Sequence, residues 1–165
     1  MKRGLVLGRF QPFHLGHSKI IKSIVKEGVE PLICIGSAQH SHTDENPFTV
    51  DERKRMIETM MKTFNCKYKI FGIPDINNYD LYVSHLESLV PNFEIVYSGN
   101  QLVQRLFSIA GYNVVKLEMF NREAWEGASI RLAMKEGADW ESAVPDQIVG
   151  IIHQIDGTER LKNCS

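Results

Sequence analysis

The stretch that decides the fold reads Leu5-Val6-Leu7-Gly8-Arg9-Phe10-Gln11-Pro12-Phe13-His14-Leu15-Gly16-His17. A short apolar run, typical of a buried strand, passes directly into a turn that precedes an amphipathic helix. Gly8 and Gly16 allow a ligand to approach the backbone, and the start of the helix offers free N–H groups and a favourable dipole. Because ligands bind at such junctions in open α/β sheets, the turn is predicted to hold a polyphosphate.

Short apolar runs alternate with segments of helical periodicity along the chain, which is typical of β-α units on a parallel sheet. Strands are predicted at Arg3–Leu7, Leu32–Ile35, Tyr68–Ile73, Ile95–Tyr97 and Asn113–Lys116. The predicted fold class is α/β, with a five-stranded parallel sheet flanked by helices in one Rossmann-like domain over residues 1–165. Beyond about residue 128 the apolar runs lose strand character, so that part is expected to form a small helical C-terminal cap.

Several helix boundaries carry recognisable signals. Thr49 and Glu52 form a capping box, Asn100 is suited to cap a helix that begins at Gln101, and Gly111 is placed to end it. In the C-terminal part, short helices are expected near 130–135, 140–143 and 146–155, with Pro145 at the start of the last one. The apolar stripes of the first two helices are expected to be core faces: Ile20, Ile21, Ile24 and Val25, then Met56, Ile57, Met60, Met61 and Phe64.

Composition excludes several classes of protein. The 165 residues carry 19 basic and 20 acidic side chains, a balance that gives no electrostatic footprint for nucleic acid. No run approaches the roughly 20 apolar residues of a membrane span, and no signal-like segment precedes the first strand, so a cytoplasmic protein is expected. Cys34, Cys66 and Cys164 lack the spacing of a disulfide framework or a thiolate zinc site.

The turn after the first strand also carries chemistry suited to phosphate. Arg9 offers a planar cation for bidentate phosphate contact, and His14 and His17 are spaced to share one face of a helical turn. Two imidazoles so placed can donate hydrogen bonds to one phosphate group. The chain has neither the glycine fingerprint of a dinucleotide-binding fold nor the P-loop of common ATPases, which argues against a dehydrogenase and a P-loop ATPase.

The segment Gly8–His17, with its pattern Gly-Arg-Phe-Gln-Pro-Phe-His-x-Gly-His, resembles the archaeal-type nicotinamide-nucleotide adenylyltransferases, members of the HxGH nucleotidyltransferase superfamily. The segments Ile35–Gln39, Asn46–Arg53, Tyr97–Asn100 and Val103–Phe107 are similar to the corresponding segments of that family. The resemblance implies transfer of an adenylyl group from ATP to nicotinamide mononucleotide, which gives NAD and pyrophosphate. It also implies direct attack by the mononucleotide phosphate on the α-phosphate of ATP, without a covalent intermediate on the protein.

The resemblance further implies the roles of individual residues. Catalytic roles fall to Arg9, His14, His17 and Arg131. ATP-binding residues are Gly8, Phe10, Gln11, Pro12, Phe13, Gly16, Gly99, Asn100, Arg122, Gly127 and Ser129. Mg²⁺ or another divalent metal is expected on the ATP phosphates, with no protein side chain as a ligand. Relatives of this kind are commonly homo-oligomers, often hexamers, so a homo-oligomer is expected here.

The second phosphate-binding segment departs from the family pattern Ser-Gly-Thr-x-x-Arg. This chain has Glu126, Gly127 and Ala128 before Arg131, so two hydroxyl groups are missing and an acid stands near the triphosphate. Our hypothesis is that Ser129, which we expect at an N-cap position, and backbone N–H groups replace the lost contacts.

The acceptor side is predicted from the loops that follow the second and third strands. Tyr82 offers an aromatic face for a cationic pyridinium ring, and the family has an aromatic residue at the matching position. Asp75 and Asn78 can hydrogen-bond a carboxamide or a ribose. The nicotinamide nucleotide is therefore expected to contact Gly36, Ser37, Gln39, Asp75, Asn78 and Tyr82.

Two alternatives remain open at this point. The acceptor of the same transfer could be another phosphate compound such as phosphopantetheine or glycerol phosphate, or the chain could be a non-catalytic nucleotide sensor on the same fold. His40 and His42, beside Asp44 and Glu45, allow a metal site, although a solvated substrate loop is the favoured interpretation. Phe120 and Trp125 are candidates for the adenine wall, with core packing as the alternative.

Overall fold

The computed structural model describes residues 1–117 and 125–164 of the chain. Within these ranges, all strands belong to one parallel sheet with the spatial order 3-2-1-4-5. The strands are β1 (Arg3–Gly8), β2 (Glu30–Ile35), β3 (Lys69–Gly72), β4 (Ile95–Ser98) and β5 (Asn113–Lys116). All five predicted strands are confirmed, with boundaries that differ by at most two residues.

Helices connect the strands and cover both faces of the sheet. The helices among the described residues are α1 (Leu15–Lys26), α2 (Val50–Met61), α3 (Tyr82–Leu89), α4 (Gln101–Ile109), α5 (Gly127–Glu136), α6 (Asp146–Gln154) and α7 (Gly157–Lys162). Single turns of 3₁₀ helix lie at Tyr79–Leu81 and Glu141–Ala143. None of the described helices combines the length and apolar character needed to cross a bilayer.

Alternation along the central strands divides the core into two layers. In β2, Leu32 and Cys34 pack with α3 and α4, while Ile33 and Ile35 pack with α1, α2 and the C-terminal helices. Successive strand residues point to opposite faces, so the part of a strand that is covered on both sides must be apolar at consecutive positions. This is why β2 reads as a continuous apolar run from Leu32 to Ile35.

The helix boundaries at the sheet's ligand edge follow the sequence signals. Thr49 accepts a hydrogen bond from the N–H of Glu52, and Asn100 accepts from the N–H groups of Leu102 and Val103. Gly111 follows α4 with φ of +93°, a conformation that favours glycine. These predicted caps are confirmed, and they fix where α2 and α4 begin.

The helical C-terminal part is confirmed, although its details differ from the prediction. Helix α5 begins at Gly127, and α7 is an additional helix that was not predicted. Helix α7 has only six residues and follows Asp156, whose φ is +52° and whose side chain makes no cap, so the usual start signals are missing. Arg160 of α7 forms a bidentate ion pair with Glu52 at 2.6 and 2.9 Å, which ties the C-terminus to the start of α2.

Candidate active site

A cavity of about 390 Å³ opens at the carboxyl ends of β1 and β4, where the strand order reverses. Such a switch point is where open α/β sheets bind ligands. The cavity brings together ten of the residues that were predicted from the sequence as catalytic, ATP-binding or acceptor-binding. They are Gly8, Arg9, Phe10, His17, Gly36, Ser37, Asp75, Tyr82, Gly99 and Asn100.

Two histidines build the first turn of α1. His14 is the N-cap, and its Nδ1 accepts a hydrogen bond from the N–H of Gly16 at 3.1 Å. His17 reciprocates, because its Nδ1 accepts from the N–H of His14 at 3.1 Å. The two rings stack with their centroids 3.7 Å apart. The pair therefore forms a capping box from imidazoles, a role usually filled by a hydroxyl and a carboxylate or amide.

The capping box fixes the protonation of both rings. Because each Nδ1 accepts a backbone N–H, each neutral ring carries its proton on Nε2. Burial and then the charge of Arg131 lower the pKa of His14 to about 4. Burial and then the neighbouring His14 lower the pKa of His17 well below its ordinary value. Both rings are therefore neutral Nε2–H donors at physiological pH.

The two histidines are not equivalent with respect to the cavity. His17 lines it, whereas His14 is only 2% exposed and is not part of its wall. The expected closeness of the two imidazoles is confirmed. Direct contact between His14 and a phosphate stays a prediction.

Three arginines cluster around the first turn. Arg9 is exposed on the cavity wall, Arg131 is half-buried on α5, and Arg53 is fully buried on α2. Burial is the main reason that the pKa values of Arg53 and Arg131 are lowered, and the charge of Arg9 lowers both further. The carboxylates of Glu45, Asp44 and Glu126 offset part of this repulsion at Arg131. Neighbouring cations of this kind favour an anionic ligand between them.

Helix α5 contacts the first turn directly. Nη1 of Arg131 donates to the carbonyl oxygen of Gln11 at 2.9 Å. A Cβ at Gly127 would lie 2.8 Å from the same Nη1, so glycine leaves the room that this guanidinium occupies. The predicted second phosphate-binding segment is thus adjacent to the first, except for Arg122, which lies outside the described residues.

The predicted cap at Ser129 is wrong. Glu126 occupies the N-cap of α5 without a side-chain cap bond, and Ser129 is the third helical residue. The N-cap is therefore three residues earlier than predicted, and the helix begins at Gly127 rather than at Ile130. The N–H groups of residues 127–129 belong to the first turn, which has no carbonyl partners within its own helix.

The acceptor-side loops are held together by hydrogen bonds. Ser37 Oγ donates to Asp75 Oδ2 at 2.8 Å, and the N–H of Asp75 donates to Gln39 Oε1 at 3.0 Å. Ser37, Asp75 and Tyr82 line the cavity, whereas Gln39 and Asn78 do not. Asn78 instead accepts from the N–H of Asp80 and caps the 3₁₀ turn.

Other predicted residues of the first turn support it from within. The side-chain amide of Gln11 makes two hydrogen bonds, of 3.0 and 2.9 Å, to the backbone of Phe48. Phe13 is fully buried, Pro12 and Gly16 are buried, and none of the four lines the cavity. The side chains of Gln11, Pro12 and Phe13 therefore shape the turn from within, and contact of these residues with ATP stays a prediction.

The structure brings to the site several residues to which the sequence assigned no binding role. Ser98, Val103, Leu117 and Ile20 line the cavity, although Ile20 was expected only as a core residue. Arg53 lies beneath it, at the end of a segment that carried the family resemblance but gave no sign of what its guanidinium contacts. The helical periodicity of α2 could have placed it on the inward face, one turn before Ile57.

The histidine-rich loop has ordinary polar partners. His40 Nε2 lies 3.6 Å from Asp75 Oδ2, and Asp44 pairs with Lys135 at 2.6 Å. Across residues 1–117 and 125–164, no three His, Cys, Asp or Glu side chains converge in a way that could hold a metal ion. Trp125 packs against the core and beneath the ammonium of Lys19, and Phe120 lies outside the described residues.

Comparison with known proteins agrees with this geometry. Residues 5–133 match the family model described as cytidylyltransferase-like. A nicotinamide-nucleotide adenylyltransferase of Thermoplasma acidophilum is 48% identical over 165 residues, covering 99% of this chain and 92% of that protein. The protein of the same name from Methanothrix thermoacetophila is 44% identical, covering 100% of this chain and 97% of the relative.

The chain belongs to the nicotinamide-nucleotide adenylyltransferase family. The resemblance expected from the sequence is therefore confirmed, as is the class of enzyme, a nucleotidyltransferase. The family's name also bears out the predicted adenylyl transfer in NAD synthesis. It does not assign roles to individual residues.

A solved structure shows the same fold at a much lower identity. The bifunctional NMN adenylyltransferase/ADP ribose pyrophosphatase of Francisella tularensis, complexed with AMP and a Mn ion, has a TM-score of 0.76 and 18% identity. The match covers 97% of this chain and 51% of the other, so the chain spans about half of that protein. This likeness confirms the Rossmann-like α/β fold.

Proposed function

We propose that this protein transfers the adenylyl group of ATP to nicotinamide mononucleotide and releases NAD and pyrophosphate. The observation that carries the proposal is the imidazole of His17, a neutral Nε2–H donor held at the wall of a cavity that Arg9 also lines. Such a site can stabilise charge on a phosphate without taking up a proton itself.

In the proposed reaction, a phosphate oxygen of the mononucleotide attacks the α-phosphorus of ATP. The new O–P bond forms as the bond from the α-phosphorus to the bridging oxygen breaks, and pyrophosphate leaves with that electron pair. His17 and Arg9 would donate to the phosphate oxygens as their charge shifts. Arg131, which already contacts the first turn through Gln11, would hold the departing pyrophosphate from the other side.

The ATP side of the site is proposed to run from the first turn to α4 and α5. Gly8 and Phe10 line the cavity on the β1 side, and Gly99 and Asn100 line it at the start of α4. The remaining ATP contacts predicted from the family, at Gln11–Phe13, Gly16, Arg122, Gly127 and Ser129, are part of the same proposal.

The acceptor side is proposed to lie over the loops after β2 and β3. The Tyr82 ring packs edge-on against Phe107 and forms part of the cavity wall. A pyridinium ring could stack on it there. Asp75 can accept a hydrogen bond from the carboxamide, and Ser37, already bonded to Asp75, fixes the direction of that carboxylate. Gly36, Gln39 and Asn78 would complete this side.

A divalent metal, with Mg²⁺ as the expected ion, is proposed to enter with ATP and to be held by the phosphate oxygens. When bound, it would neutralise charge on the pyrophosphate group. A homo-oligomer and a cytoplasmic location are parts of the proposal that rest on the sequence.

The test is an acceptor panel. The protein is incubated with ATP, Mg²⁺ and, in separate reactions, nicotinamide mononucleotide, phosphopantetheine or glycerol phosphate, and both pyrophosphate and the adenylylated product are measured. The proposal predicts NAD and pyrophosphate in equal amounts with the mononucleotide. Turnover with another acceptor alone would redirect the proposal, and binding of ATP without turnover of any acceptor would indicate a sensor.

A further inference from the structure

Arg53 is a fully buried arginine whose side chain binds only backbone. Its Nε donates to Thr49 O at 3.2 Å, within α2. Nη1 donates to Arg9 O at 2.9 Å and to Gly36 O at 2.8 Å. Nη2 donates to Ser37 O at 3.1 Å and, more weakly, to His40 O at 3.4 Å. All five N–H donors of the guanidinium are therefore used.

These acceptors belong to both sides of the cavity. Arg9 follows β1 on the side proposed for ATP, and Gly36 and Ser37 follow β2 on the side proposed for the acceptor. A single Nη1 atom bridges the two carbonyl groups. A second direct link is the hydrogen bond from the N–H of Gly36 to Gly8 O at 2.8 Å. These bonds continue the contact between the two loops beyond the last pair of the β1–β2 ladder, Gly8 with Ile35.

The loops that Arg53 holds have an unfavourable backbone. Ser37 has φ of +49°, and its carbonyl oxygen accepts a hydrogen bond from the guanidinium. Phe10 has φ of +55° and directly follows Arg9, whose carbonyl oxygen also accepts from the guanidinium. Residues with a Cβ seldom adopt this conformation, and they keep it where surrounding contacts impose it. Without Arg53 the two turns would relax, and Arg9 and Ser37 would move with them.

Burial of the Arg53 guanidinium carries a desolvation cost that hydrogen bonds to neutral carbonyl oxygens must offset. None of its hydrogen bonds goes to a carboxylate, although a buried cation is usually paired with one. Glu52 and Asp75 act on it only through longer-range attraction. Its positive charge is therefore not neutralised by a direct ion pair. Its planar guanidinium reaches several carbonyl oxygens at once, which the single ammonium group of a lysine cannot do.

We infer that Arg53 is a positioning residue that sets the separation between the ATP side and the acceptor side of the cavity. The inference rests on the proposed function, in which the two substrates react directly. Reacting atoms must come within about 3–3.5 Å, and a displacement of about 1 Å can reduce the rate about 100-fold. Arg53 acts through the loops that it holds, with no contact to either substrate.

The experiment compares Arg53→Lys with Arg55→Lys. Arg55 lies on the same helix but is bonded to Gln154, so it controls for a lysine in α2. We expect Arg53→Lys to lower kcat about 100-fold while the KM values for ATP and nicotinamide mononucleotide change much less. Arg55→Lys should keep the wild-type kcat. An unchanged kcat in folded Arg53→Lys, or a loss confined to KM, would overturn the inference.

A second substitution tests the mechanism and guards against a folding defect. Ser37→Gly removes the cost of the positive φ at residue 37. Ser37→Gly and Ser37→Ala both lose the hydroxyl that holds Asp75, so each should lower kcat on that account. If Arg53 imposes the positive φ, Arg53→Lys with Ser37→Gly should have a higher kcat than Arg53→Lys with Ser37→Ala, and equal values would overturn the inference.

The remaining outcomes are also decisive. If neither Arg53→Lys nor Arg53→Lys with Ser37→Gly folds, as judged by circular dichroism, Arg53 is a folding residue and the inference fails. An inactive wild-type protein would instead refute the proposed function, so the two failures are distinguishable.

Discussion

Acidification should lower the free energy of unfolding, because it protonates the histidines of the capping box. His14 is 2% exposed, and its Nδ1 must stay unprotonated to accept the N–H of Gly16. Its pKa is lowered from 6.5 to about 4 in the folded protein. The unfolded chain therefore binds more protons than the folded protein between these values, and the free energy of unfolding falls as the pH falls.

The magnitude follows from the shift. One unit of pKa corresponds to about 1.4 kcal/mol, so His14 should contribute about 3 kcal/mol that is present above pH 6.5 and lost as the pH falls to 4. The assay is urea denaturation followed by circular dichroism at pH 7, 6, 5 and 4 and constant ionic strength. The comparison is with His14→Asn, because asparagine keeps an N-cap oxygen that does not titrate in this range.

The difference between the two proteins reports the His14 imidazole together with its effect on His17, whose pKa it helps to lower, because the remaining titrating groups are common to both. His153→Asn provides the same exchange at an exposed histidine of α6, outside the capping box, and serves as the matched control. If wild type and His14→Asn lose stability in parallel between pH 7 and 4, the assignment of a neutral, capping His14 is wrong.

Three further predictions concern packing, phosphate binding and thiol chemistry. A Cβ at Gly157 would lie 2.8 Å from Ile152 Cγ2 and 2.9 Å from Phe48 Cε1, so Gly157→Ala should lower the free energy of unfolding by about 1–3 kcal/mol. A Cβ at Gly150 would meet nothing within 4 Å, so Gly150→Ala should not lower it. Equal effects of the two substitutions in urea denaturation would refute the packing argument. Gly127→Ala should displace the Arg131 guanidinium from Gln11 and raise the KM for ATP without a change in melting temperature, and an unchanged KM would count against Arg131 as a phosphate contact. Burial raises the pKa of the Cys34 thiol to about 12, so a thiol reagent should modify only Cys66 and Cys164 until denaturant is added; reaction of all three thiols in the native protein would show that the sheet opens.

The sequence predicted the sheet well because its signals are local. The central strands are covered on both faces, so β2 is apolar at every position from Leu32 to Ile35, and Thr49 and Asn100 marked helix starts with their own side chains. The first turn could be recognised for the same reason, since Arg9, His14 and His17 lie within a few residues of one another.

The details that the sequence could not provide depend on distant backbone atoms. Arg53 bonds to the carbonyl oxygens of residues 44 and 17 positions away, and a carbonyl leaves no mark in a side-chain pattern. The sequence also could not show that His14 is the buried N-cap of α1 while His17 lines the cavity, because this depends on where the helix begins and how it packs. The cap at Ser129 failed because α5 begins after Glu126, which has no side-chain cap bond and so gives no sequence signal, and a typical N-cap residue became part of the first turn.

The measurement that tests the central claim most directly is the rate of NAD formation by wild type and His17→Ala at saturating ATP, Mg²⁺ and nicotinamide mononucleotide. The account predicts NAD synthesis by the wild type and a loss of about 10² to 10³ in kcat for His17→Ala, because one preorganised donor is removed from the reacting phosphates. The circular dichroism spectrum should remain that of the folded protein. A folded His17→Ala variant with wild-type kcat would contradict the account.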